Sequence, residues 1–175
     1  MTGPLLAADL VNLARTGWSR AAAAAVLHEH EIRRPALDET ASEALRDWAE
    51  TLRTVFSAGD LEELCGATND MLEQGTSRAY LTIHDRLRPH LHFMADDEDV
   101  VARVRAVTSG GLAIFIVESE GLRLGVCGRE SCGLVFVDTS RNGRRAFCSS
   151  RCGNYVAVMR HRGPRPKRAA RSPTA

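Results

Sequence analysis

The chain has 175 residues, 44% of them hydrophobic and 26% charged, with a net charge of only +1. That size and composition fit one domain, or one domain carrying a small module, and argue against global disorder. The longest apolar runs, Ala21–Leu27 and Leu112–Val117, fall far short of the ~20 residues of a membrane helix, and Asp9 and Asn12 break the apolar N-terminus; neither membrane spanning nor secretion is expected.

The near-zero charge conceals an uneven distribution. Residues 1–140 hold 13 Arg and all 22 acids, a balance of −9, whereas residues 141–175 hold nine Arg, Lys167 and no acid, a balance of +10. An acidic body with a basic end is the footprint of polyanion binding. Arg168–Ala175 reads as a solvated tail.

Helical spacing of Leu5, Leu6, Leu10, Leu13 and Ala14 predicts a first helix, anchored near its end by Trp18. Ser19 can cap a second helix through the alanine run to about Glu31, closed off by Pro35. Thr40–Ser57 is amphipathic, with Leu45, Trp48, Ala49, Leu52, Val55 and Phe56 directed inward, and Asp60–Gln74 follows, stopped by Gly75. On that helix Cys65 falls beside Leu61, Leu64 and Thr68 and is expected to be a buried, inert thiol. Ser77–Arg88 and His90–Met94 alternate as short strands before a long helix, Asp97–Ser119, started by Asp96-Asp97 and interrupted by Gly110-Gly111. His28-Glu29-His30 and His90-Leu91-His92 attract attention as ligand pairs. On a strand His90 and His92 share a face, and His84 could join them. No carboxylate or cysteine completes either set, so ordinary polar or half-buried histidines are the expectation.

The sharpest signal is cysteine spacing. Cys127, Cys132, Cys148 and Cys152 read C-x4-C, fifteen residues, C-x3-C, the pattern of a tetrahedral four-thiolate zinc site. Absent secretion, a disulfide framework is the weaker alternative. Cys127-Gly128 and Cys132-Gly133 suit a tight knuckle, Leu134–Val137 reads as a strand paired with Arg144–Phe147 across Asn142-Gly143, and Ser149 or Ser150 can cap a helix to Arg162 ended by Gly163-Pro164. Cys152, Val156 and Met159 would share the face of this helix that packs on the hairpin. Four thiolates around Zn²⁺ sum to −2, a charge that Arg129, Arg144, Arg145 and Arg151 could offset. The same basic set competes for a second use. Arg141, Arg144, Arg145, Arg151, Tyr155, Arg160 and Arg162 are the candidate nucleic-acid contacts, an aromatic among guanidinium groups.

The run from Cys127 and Cys132 through Phe136-Val137-Asp138-Thr139-Ser140-Arg141-Asn142-Gly143-Arg144-Arg145 to Phe147-Cys148-Ser149 and Cys152-Gly153-Asn154 resembles the CGNR zinc finger. In that family the finger follows a mostly helical ABATE domain, whose opening motif Asp9-Leu10-Val11-Asn12 resembles. The resemblance implies a bacterial, stress-induced transcription regulator. Tyr155 and Ala157 stand where the family carries an Arg and commonly a Lys, so two family cations are missing.

Together these readings predict a mostly α (α+β) chain: a helical body with a short strand pair over residues 1–120, a treble-clef-like four-cysteine finger over 121–163, and a basic tail over 164–175. The expectation is a cytoplasmic, non-enzymatic DNA-binding regulator, with RNA left open, one structural Zn²⁺, and a body that senses or dimerises. A protein-docking module with a purely structural finger is the alternative.

Overall fold

The computed structural model describes residues 1–32, 37–83, 89–95 and 99–162. Side-chain oxygens mark most helix starts. α1 (Thr2–Thr16) lacks such a cap and carries Pro4 in its first turn, where no N–H is needed. Ser19 accepts from the Ala22 N–H at the head of α2 (Arg20–Glu29) and Asp38 from Ala41 before α3 (Glu39–Ser57). Asp60 accepts from Glu63 before α4 (Leu61–Gly75) and Asp99 from Ala102 before α5 (Val100–Glu118). Pro35, His84 and Asp96-Asp97, to which the sequence assigned roles, lie outside the described residues.

α3 buries Leu45, Trp48, Ala49, Leu52, Val55 and Phe56 along one face, as its periodicity predicts. The core joins them to Leu6, Leu10 and Val11 of α1, Met71 of α4, and Val104 and Leu112 of α5. The buried indole and hydroxyl of Trp48 and Thr108 are paired there. Trp48 Nε1 donates to Thr108 Oγ1 at 3.0 Å, and that hydroxyl donates on to the Val104 carbonyl at 2.7 Å.

Gly110-Gly111 does not interrupt α5, contrary to the sequence reading. The glycines serve packing instead. A Cβ on Gly111 would stand 2.7 Å from the Gly3 Cα, and one on Gly3 would stand 2.4 Å from the Val107 carbonyl oxygen. Backbones of α1 and α5 therefore touch at their crossing, an approach that only residues lacking Cβ permit. By length and composition alone α5 could cross a membrane, but Val104, Ala106, Thr108, Ser109, Gly110 and Leu112 are buried in the body.

Cys65 is exposed rather than buried. The inward line of α4 is Leu64, Thr68, Met71 and Gly75, and Cys65 sits about 100° round from Leu64. Among the described residues the strand pair before α5 is shorter than expected: β1 (Tyr80–Thr82) pairs antiparallel with β2 (His90–His92), placing Tyr80 opposite His92, Leu81 opposite Leu91 and Thr82 opposite His90. Leu81 and Leu91 point outward and are exposed, while Tyr80, Thr82, His90 and His92 form the half-buried face.

Beyond α5 come β3 (Leu124–Val126), β4 (Val135–Val137) and α6 (Ser150–Arg162). β4 pairs antiparallel with β3, not with residues 144–147 as the sequence suggested. The cause lies on the outer edge of β4. Bonds from Cys127 N–H to Leu134 O and from Asp138 N–H to Arg123 O fix the ladder, so Val135 and Val137 occupy its non-hydrogen-bonded positions and turn their backbone groups away from β3. Asn12 of α1 meets both groups of Val135, its Nδ2 donating to the carbonyl at 3.1 Å and its Oδ1 accepting from the N–H at 2.8 Å. Arg145 Nη1 donates to the Val137 carbonyl at 3.2 Å. Two side chains thus take the edge that a further strand would need. Val135 and Val137 belong to the same core as the helices, and the finger's strands pack on α1 and α3.

Candidate metal centre

The loop between β3 and β4 is itself the knuckle. Cys127 and Cys132 lie in it, with Gly133 at φ +67 releasing the chain into β4. Cys148 precedes α6 and Cys152 lies in its first turn, where Ser149 Oγ accepts from the Cys152 N–H at 3.4 Å. The segment between is anchored by Gly128 N–H to the Ala146 carbonyl at 2.8 Å, and by Asp138, whose carboxylate accepts from the Ser140 and Arg145 N–H groups at 2.8 and 2.7 Å. Burial alone would push the Asp138 carboxyl up. Hydrogen bonds from Ser140 and Arg145 and the Arg123 charge outweigh it and hold the group below the ordinary carboxylate range.

All four sulfurs lie within 4.8 Å of one another, with Cys132–Cys148 and Cys148–Cys152 at 3.7 Å and Cys152–Cys132 at 3.8 Å. Metal–sulfur bonds of about 2.3 Å in a tetrahedron set sulfurs about 3.8 Å apart. A disulfide needs about 2.05 Å, and all four cysteines are free. The cage therefore has the dimensions of a four-thiolate metal ion site. Its acidity is split. Burial and the three other sulfurs push Cys148 up to about 12, whereas Cys152, raised by burial but lowered more by Ser149 and the neighbouring sulfurs, falls to about 7. Mutual repulsion keeps such a cluster from ionising fully without a cation.

The run of residues carrying this cage has a match. Residues 123–165 match the CGNR zinc finger family. No curated protein matches the chain.

Around the CGNR finger, cations reach the knuckle from the body, which sequence spacing had not revealed. Arg15 Nε donates to the Cys132 carbonyl at 3.1 Å, and both terminal nitrogens of Arg53 donate to the Gly133 carbonyl at 3.2 Å. These partners are 117 and 80 residues away in sequence, with no local pattern to announce them. Arg145 has a structural task as well. Its guanidinium donates to the carbonyls of Phe147, Val137 and Cys148 and lies 5.3 Å from the Phe136 ring centroid. Arg123 braces the turn after β4 through the Asp138 and Ser140 carbonyls. Arg129 stacks on Tyr155 at 4.0 Å, covering one face of that ring.

Of the remaining candidate contacts, Arg141, Arg144, Arg151, Arg160 and Arg162 have exposed side chains. α6 packs mainly through its first two turns. Cys152 is buried and Val156 half-buried, but Met159, expected on the packed face, is 53% exposed. Elsewhere, His30 Nε2 pairs with Asp9 Oδ2 at 2.8 Å, tying α2 to α1.

Proposed function

We propose that the finger binds one structural Zn²⁺ and docks on DNA through α6 and the arginines beside it, making the chain a cytoplasmic transcription regulator. Four thiolates leave no coordination position for water or substrate, so the metal's part is to hold the knuckle against α6. The observation that carries the reading is the bare, acid-free end of the molecule. From Asn154 to Arg162 only Val156 is half-buried, no carboxylate occurs between residues 141 and 162, and six arginines there are exposed, five of them besides the anchoring Arg145. The helical body, whose Asp9-Leu10-Val11-Asn12 resembles the ABATE opening, would sense a stress signal or dimerise.

Contacts to phosphate release counterions, so affinity falls with salt at about 0.9 log units per contact per log unit. Five contacts by Arg141, Arg144, Arg151, Arg160 and Arg162 give roughly a 500-fold loss for a fourfold rise in salt. Arg141→Ala with Arg162→Ala should flatten that slope at unchanged zinc content, measured by fluorescence anisotropy on the full chain. A double variant that binds like the parent, or a parent that ignores DNA at low salt, removes the reading. A protein-docking role would then lead, because Tyr155, Val158 and Met159 form an apolar stripe on α6, 46%, 45% and 53% exposed.

A further inference from the structure

The β1–β2 hairpin is built inside out. Its apolar Leu81 and Leu91 face solvent at 66% and 49% exposure, while its half-buried face carries Tyr80, Thr82, His90 and His92. On that face the two imidazoles converge. His90 Nε2 and His92 Nε2 are 3.1 Å apart, with ring centroids at 5.0 Å and planes inclined by 52°. We propose that His90 and His92 form a second metal site, distinct from the cysteine cage, for an imidazole-preferring divalent cation of the Zn²⁺, Ni²⁺ and Cu²⁺ class.

With metal–nitrogen bonds of about 2.05 Å, two adjacent ligands lie about 2.9 Å apart in square geometry and about 3.3 Å apart in tetrahedral geometry. The observed separation falls between these values, so either geometry is reached with a shift of about 0.2 Å. Residues i and i+2 on a strand share a face, which makes the pair a chelate on a backbone already fixed by its register with β1. Tyr80, directly opposite His92, completes the arrangement. Its hydroxyl lies 3.3 Å from His92 Nδ1, where it accepts from the Nδ1–H that a histidine ligating through Nε2 must carry.

The test uses the untagged full chain, saturated with zinc at the cysteine cage and titrated with NiCl₂ by isothermal calorimetry. One Ni²⁺ per chain is expected beyond the zinc. His90→Gln and His92→Gln should each abolish it while zinc stoichiometry and helical content stay at parental values. Tyr80→Phe keeps both ligands and should weaken Ni²⁺ binding by about 10- to 100-fold. Absence of Ni²⁺ uptake by the parent, uptake that survives both glutamine variants, or an unchanged affinity in Tyr80→Phe would each overturn the site.

Discussion

Asn12→Ala isolates the joint between the helical body and the finger. The carboxamide of Asn12 serves as a one-residue strand for β4, satisfying the Val135 N–H and carbonyl at 2.8 and 3.1 Å. Val135 is 1% exposed, so water has poor access to the groups left behind. Each hydrogen bond contributes about 1 kcal/mol net, and each orphaned buried group adds about 1–3 kcal/mol of penalty. Partial relaxation puts the expected loss at about 2–4 kcal/mol. The measurement is urea denaturation of the zinc-loaded protein, followed by far-ultraviolet circular dichroism, with the midpoint falling and the slope unchanged. Asn12→Asp keeps the acceptor but sets a carboxylate oxygen against the Val135 carbonyl, so it should be at least as damaging at neutral pH and recover as the carboxyl is protonated. An Asn12→Ala variant within about 0.5 kcal/mol of the parent, the range of an ordinary surface substitution, would refute the joint.

Three further outcomes are expected. Gly111→Ala sets a methyl 2.7 Å from the Gly3 Cα, where no side chain can yield, and should cost about 1–3 kcal/mol by thermal denaturation. Asp138 has a folded pKa below its unfolded value near 3.9, so its stabilisation is complete above that pH and fades as pH falls through the folded value. Asp138→Asn should therefore lose about 1.5–3 kcal/mol at neutral pH, with the gap to the parent closing in acid, where zinc release common to both proteins drops out of the difference. Metal binding must displace protons from thiols, Cys148 at about 12 above all, so chelator competition should show zinc held more tightly at pH 8 than at pH 6; equal affinity would mean the cysteines are not the ligands.

Short-range chemistry was legible in the sequence, and long-range occupancy was not. Chelate spacing announced Cys127, Cys132, Cys148 and Cys152 because two ligands in one tight turn impose local separations, and the cage closes as that spacing requires. The inward face of α3 followed from its period, and the Ser19 cap from the hydroxyl's position before the alanine run. The pairing of β4 was misread because Leu134–Val137 carries no sign of an asparagine 123 residues earlier that takes its edge. Gly110-Gly111 looked like a break because glycine weakens an isolated helix; only the approach of Gly3 gives those residues a use. Cys65 was placed inward because Leu61 was counted with Leu64 and Thr68, yet Leu61 is itself 59% exposed. The shared face of His90 and His92 could be read from strand alternation, but the convergence of their Nε2 atoms needs the ring orientations that Tyr80 helps to set.

The place of α1 also has a consequence for how the chain emerges during synthesis. Its apolar residues Leu6, Leu10 and Val11 are buried against elements made much later: α5, which ends at Glu118, and β4, which ends at Val137. At about 5–20 residues per second, the helix that ends at Thr16 waits roughly 6–24 s for its last partner to be made. Until α5 is made its sticky face has only α2, α3 and passing chaperones to cover it, and the part that meets β4 waits longer still. The knuckle is thus the latch of the whole molecule. Slow translation upstream of Val135, or scarcity of metal as the knuckle emerges, should show up as aggregation of nascent chains rather than as loss of the finger alone.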